Sequence, residues 1–168
     1  GTAPLSSYPM LDEPDERDVF LGPDGEELVP LGDGVYRARI EGSFARYRKL
    51  GGGWEVDLGS GTTLAFGATP GGRVSDATGE RIFRWLLERS TDANGNVITY
   101  RHGAFPGSTN RKYLKEIRYG PGAPPWAVHY FIAFEYASKP DWRIDYRSGF
   151  PVKTTMRLVA VNMGIQGV

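Results

Sequence analysis

Short runs in which apolar and charged side chains alternate recur along this chain, and clusters of Gly, Pro, Asp and Asn close nearly every one of them. Alternation with period two puts one kind of side chain on each face of an extended segment, the signature of a β-strand with one wet face. Tyr36-Arg37-Ala38-Arg39-Ile40, Phe44-Ala45-Arg46-Tyr47-Arg48 and Trp54-Glu55-Val56-Asp57-Leu58 all follow it. Gly59-Ser60-Gly61 separates the last of these from Thr62-Thr63-Leu64-Ala65-Phe66, which reads as a hairpin. Arg81 to Arg89 has the length of a short helix. It runs into Asp92-Ala93-Asn94-Gly95-Asn96 and the β-branched run Val97-Ile98-Thr99-Tyr100, so a long hairpin reversing at Asn94-Gly95 explains both arms, and a strand is expected here rather than the competing helix. Tyr113 to Tyr119 alternates again. Trp126 to Tyr136, the most apolar stretch, is expected to be a central strand, Lys139-Pro140-Asp141 a turn, and Val152 to Met163 a long closing strand. About ten short strands with little or no helix predict an all-β fold: an antiparallel β-sandwich, barrel or curved sheet.

Residues 1–17 are poor in aliphatics and rich in Pro, Asp and Glu, and are expected to form an extended or loosely docked arm. Residues 18–168 then form a single all-β domain. The start at Gly1-Thr2, without Met, is what an excised piece of a larger protein would show, and no signal peptide is visible.

The 20 basic and 20 acidic residues cancel, so the basic excess usual in nucleic-acid binders is missing. No apolar run reaches the roughly 20 residues of a transmembrane helix. With no cysteine in the chain, disulfides, thiolate metal sites and cysteine nucleophiles are excluded. His102, expected in a turn-rich loop, and His129, in an aromatic strand, are the only histidines, and no serine sits in a Gly-x-Ser-x-Gly elbow. Asp92 to Asn96 copies the start of a calcium loop but carries Val97 where that loop needs Gly, so a hairpin turn is the better reading. The glycine-rich loops match neither the dinucleotide nor the phosphate-loop pattern. Trp54, Trp85, Trp126 and Trp142 offer either core packing or a sugar-stacking platform, and strand aromatics favour the core. No catalytic, cofactor or metal residue is assigned.

Several segments in order resemble the SpvB-type region found in insecticidal toxin-complex B components and in the Salmonella virulence plasmid B protein. They are Asp18 to Leu21 with Glu26 to Pro30, Tyr36 to Arg46, Trp54-Glu55-Val56 with Gly61 to Gly67, Arg81 to Leu87, Asp92 to Tyr100 and Asn110 to Tyr119. Tyr146 to Phe150 with Lys153 to Leu158 closes the series. The resemblance implies a secreted, non-catalytic structural domain, a β-sheet wall joining a shell that encloses a toxic effector. Its partners would be other segments or subunits of that shell. Two other classes remain: a carbohydrate- or receptor-binding β module, and a small hydrolase using His102 or His129.

Overall fold

The computed structural model describes residues 4–8, 19–40, 42 and 44–167. Of these, 61% are strand and 2% helix. Fourteen strands form one sheet: β1 (Leu5–Tyr8), β2 (Val19–Leu21), β3 (Glu27–Gly32), β4 (Val35–Ala38), β5 (Arg46–Leu50), β6 (Gly53–Asp57), β7 (Thr63–Phe66), β8 (Arg73–Ser75), β9 (Ile82–Trp85), β10 (Leu87–Thr91), β11 (Val97–Gly103), β12 (Tyr113–Gly120), β13 (Val128–Asp145) and β14 (Val152–Gly167). Their order across the sheet is β14-β13-β12-β11-β10-β7-β6-β5-β4-β3-β2-β1-β9-β8, and neighbours are antiparallel. The all-β antiparallel expectation holds in its curved-sheet form; the sheet is not closed into a barrel.

One run of chain produces the curvature. Residues 82–91 form the expected strand, interrupted at Leu86: β9 pairs with β1, whereas β10 pairs with β7. The break is hydrogen-bonded, since Leu86 N–H donates to the Gly72 carbonyl and the Leu86 carbonyl accepts from Gly67 N–H. The sheet from β7 round to β9 thereby rolls over its own apolar face. Leu5, Phe20, Leu28, Tyr47, Trp54, Val56, Leu64, Phe66 and Trp85 are buried inside the roll. The Trp54 ring meets Phe20, Tyr36 and Trp85 edge-on at 5.0, 5.1 and 5.9 Å, the geometry aromatic quadrupoles prefer. Trp85 Nε1 donates to the Gly52 carbonyl at 2.7 Å, so the indole is buried with its polar atom satisfied. On the outer face Arg48 binds both Glu55 and Asp57, the wet side that the alternation predicts. A second cluster of Val74, Phe83, Phe150 and Val152 packs the β8–β9 end against the start of β14.

Several local expectations are corrected. Part of the expected N-terminal arm is sheet: β1 lies between β2 and β9, with Leu5 fully buried. Residues 1–3 and 9–18 lie outside the described residues. The reversal after β10 is not a two-residue turn with both central residues left-handed. Gly95 alone takes positive φ (80°), its N–H donating to the Asp92 carbonyl, while Asp92 N–H donates to Asn96. That is a turn followed by a glycine bulge. Lys139-Pro140-Asp141 does not reverse the chain. β13 continues through it, and the ladder with β14 skips from Ser138 to Arg143. Proline is tolerated at such a bulge because no ladder bond needs its missing N–H. The turn comes later, where Gly149 N–H donates to the Tyr146 carbonyl. Trp126 to Tyr136 is not central either: β13 is next to the edge strand β14.

Candidate functional site

The two histidines do not come together as a catalytic group. His102 lies on β11 rather than in a loop, and its Nδ1 is buried without a hydrogen-bond partner. Burial pushes its pKa below the ordinary imidazole value, opposed by the negative Glu88 and by a hydrogen bond with the Tyr100 backbone. Glu88 is itself engaged, accepting from the Thr69 N–H at 2.8 Å and hydroxyl at 2.6 Å. His129, on β13, leans on Trp126 at 5.8 Å with Nε2 buried and unpartnered. Neither imidazole shows a hydrogen bond to a hydroxyl or carboxylate among the described residues, the pairing by which a histidine activates a protein nucleophile. The Asp92 carboxylate is consumed within its own turn by Asn94 N–H, Asn96 N–H and Asn96 Nδ2.

The tryptophans divide. Trp54 and Trp85 are core residues. Trp126 is half-buried and donates to the Gly122 carbonyl, and exposed Trp142 carries the Lys153 ammonium 4.4 Å over its ring. They form no common platform. The exposed aromatic pair is Tyr119 with Tyr130, stacked across β12 and β13 at 5.2 Å with planes 15° apart.

That pair belongs to the dominant surface feature. Residues directly opposite one another on paired strands share a face of the sheet. Tyr47, Val56, Leu64, Ser90, Ile98, Tyr119, Tyr130 and Ile165 are successive partners across β5, β6, β7, β10, β11, β12, β13 and β14, and so form one row. Exposure along it climbs from 4% at Tyr47, 1% at Val56 and 7% at Leu64 to 39% at Tyr119, 45% at Tyr130 and 64% at Ile165. The adjacent row brings Tyr100, Ile117, Ile132 and Met163 together, with Met163 exposed. The face that forms the core of the roll therefore continues, past Ser90 on β10, onto β11–β14, half-buried at Ile98, Tyr100, Ile117 and Ile132 and exposed at Tyr119, Tyr130, Met163 and Ile165. The reverse face there carries the charges, with Glu116 held between Arg101 and Arg118 and with Glu135 accepting from Asn162, beside Phe131 and Ala133. An excised wall domain is expected to expose apolar patches and strand edges, but the sequence reading did not locate this surface. Its signal is charge depletion: no Asp, Glu, Lys or Arg occurs from 119 to 134 or from 158 to 168, and the register pairs these two stretches with each other.

The class the structure defines is an all-β domain, a rolled antiparallel sheet whose apolar face runs on into the open. The chain belongs to the SpvB family, described as Salmonella virulence plasmid 65kDa B protein, whose sequence profile matches residues 34–146. The N-terminal domain of effector protein SpvB from Salmonella typhimurium strain LT2 superposes with a TM-score of 0.80 at 21% identity, over 97% of this chain and 75% of that one. A TcdB2-TccC3-Cdc42 crystal structure gives 0.79 at 23% identity, and a Photorhabdus luminescens Tc holotoxin pore 0.78 at 22%. These cover 97% and 96% of this chain, which spans only 11% of each of those chains. At such identities the likeness is one of fold. No curated protein matches the chain. The segments at 18–30 and 147–158 that also carried the resemblance lie outside the matched profile.

Proposed function

We propose that this chain is a non-catalytic assembly domain of a secreted, toxin-like protein, a length of β-sheet wall that adjoins other segments or subunits of a shell around an effector. The observation that carries this is the burial gradient from Val56 to Ile165 along one row that is apolar but for Ser90. A chain that folds around one end of an apolar face and leaves the other end bare is built to have that end covered by something else. Family membership supports the reading, as do fold neighbours within toxin complexes. No helix among the described residues is long and apolar enough to cross a membrane. A carbohydrate- or receptor-binding role rests on the stacked Tyr119–Tyr130 pair alone, because two tryptophans are buried and Trp142 lies under Lys153.

Assays of the wild-type chain against esters, glycosides and phosphoesters should stay at background, and replacing His102 and His129 together should change nothing. Saturable turnover of any of these substrates, abolished by one histidine substitution, overturns the scaffold reading. Glycan binding lost on Tyr130→Ala would move the assignment to the carbohydrate module.

A further inference from the structure

The two long sides of β14 are treated differently. Its inner side pairs with β13 over nearly its whole length. The outer side is capped only at the start. There Lys153 N–H donates to the Thr109 carbonyl, and the Ser108 and Thr155 hydroxyls are bonded at 2.7 Å. The cap ends there. A register shift follows, where Glu135 pairs with Ala160 and Tyr136 with Leu158, leaving Val159 as an extra residue. From Ala160 to Gly167 the strand is regular, each residue paired in unbroken register with Glu135 back to Val128. Nothing among the described residues pairs with the other side of this stretch.

Native sheets guard exposed edges with charges, prolines, bulges or covering loops. Residues 160–167 carry no charge and no proline, and the bulge and the covering loop both stop before them. Alternate residues turn N–H and C=O outward, which only another backbone satisfies in regular order. Val161, Met163 and Ile165 lie on the apolar face, at 50%, 78% and 64% exposure, with Asn162, Gly164 and Gln166 on the other.

We infer that the Ala160–Gly167 edge is an acceptor for one further strand from a neighbouring wall segment, an uncharged strand with β-branched aliphatic side chains on the apolar face and small neutral ones on the other. This rests on the assembly reading and deepens it by placing the joint at one edge of the sheet. The added backbone completes the ladder, and its aliphatic side chains extend the row that ends at Ile165. The absence of charge on the acceptor sets the character of the donor. A lysine or glutamate opposite Val161 or Met163 would lose hydration without gaining a partner. The span of chain in the toxin-complex structures beyond this fold, of which the fold is 11%, is a source of such strands.

The test uses the chain as it stands and a fluorescent peptide of about ten residues, the length of an ordinary strand, alternating Thr with Val and Ile. Anisotropy titration should show saturable binding, and amide exchange should slow across 160–167. The same peptide N-methylated at alternate residues keeps its side chains but loses one hydrogen-bonding edge. It should bind at least about tenfold more weakly, about 1.4 kcal/mol. Met163→Lys, at a site too exposed to disturb the core, should weaken the parent peptide similarly while the urea midpoint stays put; Ile165→Lys serves if that variant misfolds. No binding, or equal binding of the N-methylated peptide, overturns the inference, the latter by assigning the peptide to the open face. A dimer of the chain that Met163→Lys dissolves also overturns it, giving the edge to a second copy. Turnover that fails the scaffold reading is measured separately, so the failure of either claim is distinguishable.

Discussion

Gly67 sits against the break between β9 and β10, its N–H donating to the Leu86 carbonyl. Its φ is +56°, and a Cβ built there would lie 2.4 Å from Trp85 Cδ1 and 3.1 Å from Trp85 Cβ. Trp85 is 3% exposed and pinned by its bond to Gly52, so it has little room to move away. Gly67→Ala therefore meets two separate penalties. The left-handed backbone disfavours any L-residue by roughly 1–2 kcal/mol, partly offset by about 0.4–1 kcal/mol from the stiffer unfolded chain. Overpacking against the indole adds roughly 1–3 kcal/mol. Gly25 separates the two, because it has φ +83° and nothing within 4 Å of the place a methyl group would take. Gly25→Ala should cost only the backbone part, about 1 kcal/mol or less. Gly67→Ala should cost about 2–4 kcal/mol, a large share of the roughly 5–15 kcal/mol that holds a domain together. Urea unfolding followed by far-ultraviolet circular dichroism measures both. Pairing Gly67→Ala with Trp85→Leu, whose jointed side chain can swing aside, should recover at least about 1 kcal/mol relative to additivity. The steric argument is refuted if Gly67→Ala costs no more than Gly25→Ala, or if the double variant is simply additive.

The turn at 92–96 predicts an asymmetry: Gly95→Val should lose roughly 1–3 kcal/mol because φ there is +80°, whereas Asn94→Val, at a residue without positive φ, should lose less than about 1 kcal/mol. Equal losses in the urea midpoint would restore the two-residue turn. Asp145 accepts from the Arg147 side chain and backbone, which holds its carboxyl down at about 2. A depressed carboxylate pKa contributes stability that is full above the unfolded value near 4 and is lost as pH falls toward 2. Both side chains are substantially exposed, so the contribution is under about 1 kcal/mol. Asp145→Asn should remove that part of the acid-side slope while leaving neutral stability within the same margin, and an unchanged slope would show that the pair does not matter.

The face of each strand was legible because alternation is a direct record of it. Trp54-Glu55-Val56-Asp57 announces a core side and a wet side, and the structure buries Trp54 and Val56 while Glu55 and Asp57 meet Arg48 outside. What alternation does not record is what lies against a face. Trp126 to Tyr136 reads as a central strand because it lacks charge, yet Val128 and Tyr130 are open. An apolar face looks the same in sequence whether this chain or another covers it. Lys139-Pro140-Asp141 carries strong local turn chemistry, but β13 and β14 pair on both sides of it, so the long ladder overrides the local preference and absorbs the segment as a bulge. His102 shows the same limit. A histidine beside turn residues reads as a loop residue, whereas its place at the end of β11 depends on pairing with Leu114 on β12.

Strand length explains where the roll stops. From β1 to β10 the strands are three to six residues long and are punctuated by turns, so twist accumulates over short ladders and the sheet bends back on itself. β13 and β14 run for 18 and 16 residues in one another's company, a ribbon much longer than the short strands rolled up beside it. Apart from Ser90 on β10, the row stays apolar across the boundary while the geometry changes. The row therefore assigns different consequences to similar residues by position. Val56, with 1% exposure, is a determinant of folding, and Ile165, with 64%, can be polar without disturbing the core. That the chain nevertheless keeps Val161, Met163 and Ile165 aliphatic, on an edge without a charge to guard it, is difficult to attribute to the stability of this domain alone. Contact with a neighbouring strand gives those side chains a physical role, and that contact is what the peptide and Met163→Lys experiments measure.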